Sequence, residues 1–208
     1  MDQQTLVTPY VPEKPAYIRT AVKTLISLLI FHGLSLLFHF MVMGNSDPYT
    51  MSSDAAGRIP TAMFLFSIVA LFVLGDILVG IYFKDGKRKR AFLEATSAEK
   101  QGEVGAAEGH ARYRRLAFTE ALVCTLTTAT LWLIPTLIYT VALATSGRGY
   151  GYTEASIFEK LFVGFIGLCE PFRNAWLGWL IGVVFMFLFY YFGRVLSHNR
   201  WEAERIRR

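Results

Sequence analysis

Only two cysteines, Cys124 and Cys169, occur in the chain, and both lie inside apolar stretches. That excludes a disulfide framework and a cysteine-rich metal cluster. Also missing are a Walker loop, a G-x-S-x-G elbow, an H-E-x-x-H helix and a dinucleotide fingerprint. No polar stretch is long enough to hold an active site of its own. Lipidation signals are absent from both ends, where Asp2 and the pair Arg207 and Arg208 stand. Charge is scarce, at 18% of residues, and the surplus of +5 is not spread over a face. The cations flank apolar runs, which sets membrane orientation and argues against nucleic acid as a partner.

What the chain has is apolar sequence. Of 208 residues 53% are hydrophobic and 15% aromatic, and the mean hydropathy is +0.38. Such a composition fits a polytopic membrane protein better than a soluble domain of this size. The run from Thr61 to Phe83 is almost unbroken and stops at Lys84, Lys87, Arg88, Lys89 and Arg90. A hydrocarbon core about 30 Å thick takes roughly 20 helical residues to cross. The expected fold is therefore an all-α integral membrane protein forming one membrane domain over 1–208. Four transmembrane helices in two hairpins are expected at about 21–43, 61–83, 116–144 and 175–192.

The first apolar run, Leu25 to Met43, is too long for a signal-peptide core and no small-residue cleavage site follows it, so it is expected to be retained. Residues 44–60 and 145–174 are expected as extracytoplasmic loops, and 84–115 as a charged cytoplasmic loop. Gly102, Gly105 and Gly109 speak against one rigid helix through that loop, leaving helical extensions at its two ends. Residues 157–170 are apolar but span only about 21 Å as a helix. They open on Ser156-Ile157-Phe158-Glu159, a capping-box pattern, and close at Pro171. A short interfacial or re-entrant helix is the expectation there. Both termini are then expected in the cytoplasm, at a plasma (inner) membrane. All but four of the 21 Lys and Arg fall on that side, the exceptions being Arg58, Arg148, Lys160 and Arg173. A fifth span would place the arginine-rich tail outside. Arg19-Thr20-Ala21-Val22 and Arg115-Leu116-Ala117-Phe118 open the two hairpins alike, which fits a parallel repeat but also plain composition.

Several residues point to chemistry. His32, Ser35 and His39 fall at i, i+3 and i+7, one polar stripe on an apolar helix. The stripe suits a proton path, or interhelical hydrogen bonds. Haem is disfavoured, because the two imidazoles are about 10.5 Å apart along the axis. No convergent ligand set for zinc is present, and no cofactor is expected. Asp76 is an acid inside an apolar span and so a candidate site. Glu120, near the start of the third span, shares a face with Cys124, Thr127 and Thr128. Asp76 and Glu120 would border a cytoplasm-facing cavity; otherwise Glu120 pairs with Arg115 at the headgroups. Thr125, Thr127, Thr128 and Thr130 precede Pro135, which is expected to kink the helix. Their hydroxyls either bond carbonyls four residues back or line a path. Gly178 and Gly182 form a GxxxG helix-packing motif, within the bundle or between subunits. Gly164 and Gly167 repeat the idea in the short segment, and Gly80 beside Asp76 would admit a neighbouring backbone. Glu170 and Arg173 are expected to pair locally. Trp132, Trp176, Trp179, Trp201, Tyr150 and Tyr152 read as an aromatic belt.

The expected function is a small transport or channel subunit with a polar path through Asp76, Glu120, Thr127, Thr128, His32 and His39 for an ion or small solute. Its expected partners are the lipid bilayer, with anionic headgroups at Lys87, Arg88, Lys89 and Arg90, and further copies of itself or a larger membrane complex. Two alternatives stand beside it. One is a non-catalytic accessory subunit presenting Gly178 and Gly182. The other is an intramembrane lipid-modifying enzyme with His32 and His39 as acid–base groups, which lacks an evident nucleophile or metal.

Overall fold

The structure is a computed structural model and describes residues 17–44, 53–74, 103–146 and 161–207. Among the described residues every element is helical. They are α1 (Tyr17–Gly44), α2 (Ser53–Phe72), α3 (Glu103–Ser146), the short α4 (Val163–Cys169) and α5 (Ala175–Arg207), with a 3-10 turn over Glu170–Phe172. Three helices are long and apolar enough to cross a membrane, over Tyr17–Val42, Tyr113–Ala142 and Ala175–Trp201. The apolar part of α2 is described over Pro60–Phe72, and the rest of the expected second span, 75–83, lies outside the described residues.

Several boundaries differ from the sequence expectation. Helix α2 starts at Ser53 and carries Pro60 inside it, so residues expected in a loop are helical. Helix α3 begins at Glu103, so Gly105 and Gly109 sit in its first turns as part of a helical extension. Over 44 residues it is about 66 Å long, twice a hydrocarbon core. It continues through Pro135, which leaves one carbonyl without its usual donor. Helix α5 does not stop at Phe192 but runs on to Arg207. It opens at Asn174, whose Oδ1 accepts the Leu177 N–H at 3.1 Å, a side-chain cap for an otherwise orphan donor.

Paired side chains fix the directions. Thr24 lies beside Cys124 and His32 meets Trp132, so α1 and α3 run the same way. Trp179 reaches Ala129 while Tyr190 reaches Glu120, so α5 runs against α3. Phe64 meets Phe172 and Phe72 meets Phe189, which sets α2 parallel to α5. The most extensive packing is between α3 and α5, and α4 touches all four longer helices.

Helix α4 is buried over its whole length, Val163 to Cys169. It is a wedge in the core, not a helix lying on a surface. Four glycines let it sit there. A Cβ on Gly164 would lie 2.6 Å from Phe31 and from Ser35, and one on Gly167 would lie 2.8 Å from Ser67 Oγ. On α5, a Cβ at Gly178 would overlap Cys169 Sγ and come within 2.9 Å of its Cα, and one at Gly182 would overlap the Trp132 ring. The GxxxG motif therefore packs inside the chain. Ser67 Oγ donates to Gly164 O at 3.0 Å, tying α2 to the wedge. At the far end of the wedge Arg173 takes a left-handed backbone (φ 48), and its N–H donates to Glu170 O at 3.1 Å. This turn sends the chain back along α5.

Candidate functional site: a polar interior

Helix α1 is inverted relative to a helix in a water-soluble protein. Its buried positions are Thr20, Thr24, Ser27, Leu28, Phe31, Ser35 and His39, five of the seven polar. Its exposed positions include Leu25, Ile26, Leu29, Ile30, Leu34, Leu37, Phe40 and Met41. Soluble helices turn apolar residues inward. Helices in lipid have no reason to, and they bury polar groups as interhelical contacts. The buried residues recur every three or four positions, so they form one stripe along the helix. Gly33 faces away from it, with open space where its Cβ would be.

At one end the stripe meets a charged cluster. Glu120 on α3 and Arg194 on α5 form an ion pair, Nη2 to Oε2 3.0 Å, with side chains only 2% and 4% exposed. Tyr190 donates its hydroxyl to the same Oε2 at 3.1 Å and accepts from Arg194 Nε at 3.3 Å. Removing two charges from water costs several kcal/mol each, and only a close, hydrogen-bonded partner offsets it. The three side chains meet that condition together. Thr20 on α1 sits beside Tyr190, so the stripe and the cluster are continuous. Beyond them, toward the end of α5, Tyr113 stacks on His198 with ring centroids 4.1 Å apart, and its hydroxyl donates to Arg194 O at 3.4 Å.

Halfway along, His32 Nε2 accepts from Trp132 Nε1 at 3.3 Å. Its ring lies edge-on to Phe31 and to Phe162. Nε2 therefore carries no proton and Nδ1 does. Among the described residues, His32 Nδ1, Ser27 Oγ and Ser35 Oγ are buried without a hydrogen-bond partner. An unsatisfied buried polar atom costs about 1–3 kcal/mol, and three on one helix ask for a reason.

The sequence candidates sort as follows. Glu120 lies in the buried charged cluster, and its partner is Arg194, not Arg115. His32 and His39 both lie along the α1 stripe, with Ser35 between them and His39 buried near its far end. Thr128 is buried and Thr127 is half-buried. Their hydroxyls donate to Cys124 O at 2.9 Å and Val123 O at 2.8 Å, the backbone role. Thr125 and Thr130 do the same, at 2.7 and 2.8 Å. Asp76 and Gly80 lie outside the described residues, as do Lys87, Arg88, Lys89 and Arg90. Trp132 and Trp201 are not belt residues, being 1% and 8% exposed in the interior. Trp179 is half-buried and donates to Ala129 O at 3.0 Å, while Trp176 is exposed. Both thiols, Cys124 and Cys169, are buried. No group of three His, Cys, Asp or Glu that could hold a metal ion occurs among the described residues.

Arg194, Tyr190, Thr20, Thr24 and Ser27 are the residues of this candidate site that sequence reasoning passes over. A cation after an apolar run reads as a flank. The available signal was Tyr190 four residues before Arg194, which puts a hydroxyl and a guanidinium on one helix face. No known protein family, curated protein or solved structure matches the chain.

Proposed function

We propose that the chain is a small membrane transport or channel subunit, with a polar path along the buried face of α1 that ends at Glu120, Arg194 and Tyr190. In this reading four helices span the bilayer in two hairpins and α4 is the returning leg of a re-entrant segment. Both termini lie on the inner side of the membrane, and Lys87, Arg88, Lys89 and Arg90 rest on anionic headgroups. The protein works as an oligomer or within a larger complex, since four helices enclose little space.

The observation that carries the reading is the inverted burial of α1, in which hydroxyls and imidazoles fill the interior while leucine and isoleucine face outward. Polar groups buried only to hold helices together would be paired across the contacts, whereas Ser27 Oγ, Ser35 Oγ and His32 Nδ1 are buried without a hydrogen-bond partner among the described residues. A second observation weighs against the accessory role. The GxxxG face that would recruit a partner is occupied by Cys169 and Trp132 of the same chain. The enzyme reading finds no nucleophile or metal-ligand set beside its histidines among the described residues, where both thiols are buried and no group of three His, Cys, Asp or Glu occurs.

The test is flux in liposomes containing the purified protein. Protons, sodium, potassium and small neutral solutes are offered in turn against protein-free vesicles. At least one should cross faster with the protein present, and Glu120→Gln should slow it. No flux for any species would replace this reading with the accessory one.

A further inference from the structure

We infer that the species moved along this path is the proton, which is a statement about the same site and rests on the transport reading above. Three independent features of the molecule support it.

The first is the chemistry of the stripe. Thr20, Thr24, Ser27, His32, Ser35 and His39 are all both donors and acceptors in their neutral forms. None carries a fixed charge that would bind a metal cation, and no carboxylate lies among them. Successive members are about 4.5–7.5 Å apart along the axis, steps that close only when the hydroxyls rotate and a single water enters transiently. Ser27 Oγ, Ser35 Oγ and His32 Nδ1, buried and without hydrogen-bond partners, are the open ends that such a relay needs.

The second is space. At the level of α4 the interior is filled by Phe31, Trp132 and Phe165, with ring centroids 5.8 Å apart for Phe31 and Trp132 and 5.5 Å for Trp132 and Phe165. A single added methyl at Gly164 or Gly182 would already overlap these rings. A hydrated ion or an organic solute does not pass such packing, whereas a proton needs only a line of oxygens and nitrogens.

The third is the end of the path. Tyr190 joins the stripe to a carboxylate, with Thr20 on one side and Glu120 Oε2 on the other, 3.1 Å away. The hydroxyl gives its proton to Glu120 and takes another from the Thr20 side, so it ends as it began. Glu120, buried in the ion pair, holds the proton and releases it when the cluster opens to the aqueous phase at that end. Each hydroxyl upstream gives one proton and receives one, His32 gives the proton on Nδ1 and takes one at Nε2 when the long 3.3 Å bond from Trp132 opens, and the net change is one proton moved. Arg194, whose Nε donates to the Tyr190 oxygen at 3.3 Å, stabilises negative charge on that oxygen during the exchange. It also repels any metal cation that approaches the same end.

The experiment uses the full chain in liposomes loaded with a pH-sensitive dye, with a potassium gradient and valinomycin setting the driving force. Rubidium and sodium uptake are measured in parallel without valinomycin. Proton flux should exceed that of protein-free vesicles at least tenfold, with no excess rubidium or sodium uptake. Ser27→Ala and Ser35→Ala each remove one oxygen and should each lower proton flux about tenfold, while Leu29→Ala on the exposed face leaves it unchanged. Rubidium, sodium or solute flux without proton flux would overturn the proton assignment and leave the transport reading standing. Full proton flux in both serine variants would overturn the path. No flux of any species would overturn both the assignment and the reading it rests on.

Discussion

The two ends of the α3–α5 pair are held together by opposite means. Near α5's C-terminal half, Glu120, Arg194 and Tyr190 join the helices by charge and hydrogen bonds. Near its N-terminal half, Gly178 and Gly182 join them by taking side chains away, so that Cys169 and Trp132 press against bare backbone. In lipid, apolar side chains gain nothing by leaving one hydrocarbon for another, so both devices make sense there. They differ in what they tolerate. A close backbone contact is intolerant of added atoms, and a buried ion pair is intolerant of losing one member. The same helix uses both, and only the charged end offers groups that can exchange a proton.

The comparison can be broken first at the charged end. Replacing Arg194 with Leu leaves Glu120 buried without its cation, which should cost about 3–5 kcal/mol. Thermal unfolding in detergent should show the largest loss of stability of any single change discussed. Removing both charges, Glu120→Leu with Arg194→Leu, should recover most of that loss, because the penalty belongs to the orphaned partner. A double variant as unstable as the single one would mean that shape, not charge, holds this end.

At the other end, Gly178→Ala should cost about 1–3 kcal/mol by overpacking. Its new Cβ would meet the Cys169 backbone as well as the thiol, so a smaller residue at 169 would relieve only part of the strain. Cys169→Ala combined with Gly178→Ala, melted beside each single variant, checks this. Smaller still is His32→Leu, which removes one hydrogen bond from Trp132. Buried hydrogen bonds between membrane helices average about 0.6 kcal/mol, so a loss of that order is expected. Thr130→Val should change stability by less than about 0.5 kcal/mol, since its hydroxyl bonds only Leu126 O of its own helix.

The sequence made one end far more readable than the other. Gly178 and Gly182 are visible as a spacing, and the short apolar segment with Gly164 and Gly167 is visible as too short to span. Their placement against Trp132 and Cys169 was not, because a spacing names a face and not the neighbour that covers it. The charged end was read with the wrong partner. Glu120 was recognisable, but the nearest cations in sequence, Arg114 and Arg115, are exposed. The true partner is 74 residues away on a helix that continues past its apolar stretch. The stripe on α1 was half legible. His32, Ser35 and His39 stand out against leucine and phenylalanine, whereas Thr20, Thr24 and Ser27 lie where polar residues are ordinary near a helix start. Only burial joins the two groups into one face.

Helix α1 turns its polar face inward and its apolar side to lipid. Spin labels placed singly from residue 22 to 41, in liposomes, measure this directly through relaxation by oxygen and by a water-soluble nickel chelate. Oxygen accessibility should rise and fall with a period of 3.6 residues, highest at Leu29 and Leu37, which are 73% and 61% exposed, and lowest at Ser27, Phe31 and Ser35. A flat profile, or nickel accessibility that peaks at Leu29 and Leu37, would contradict it.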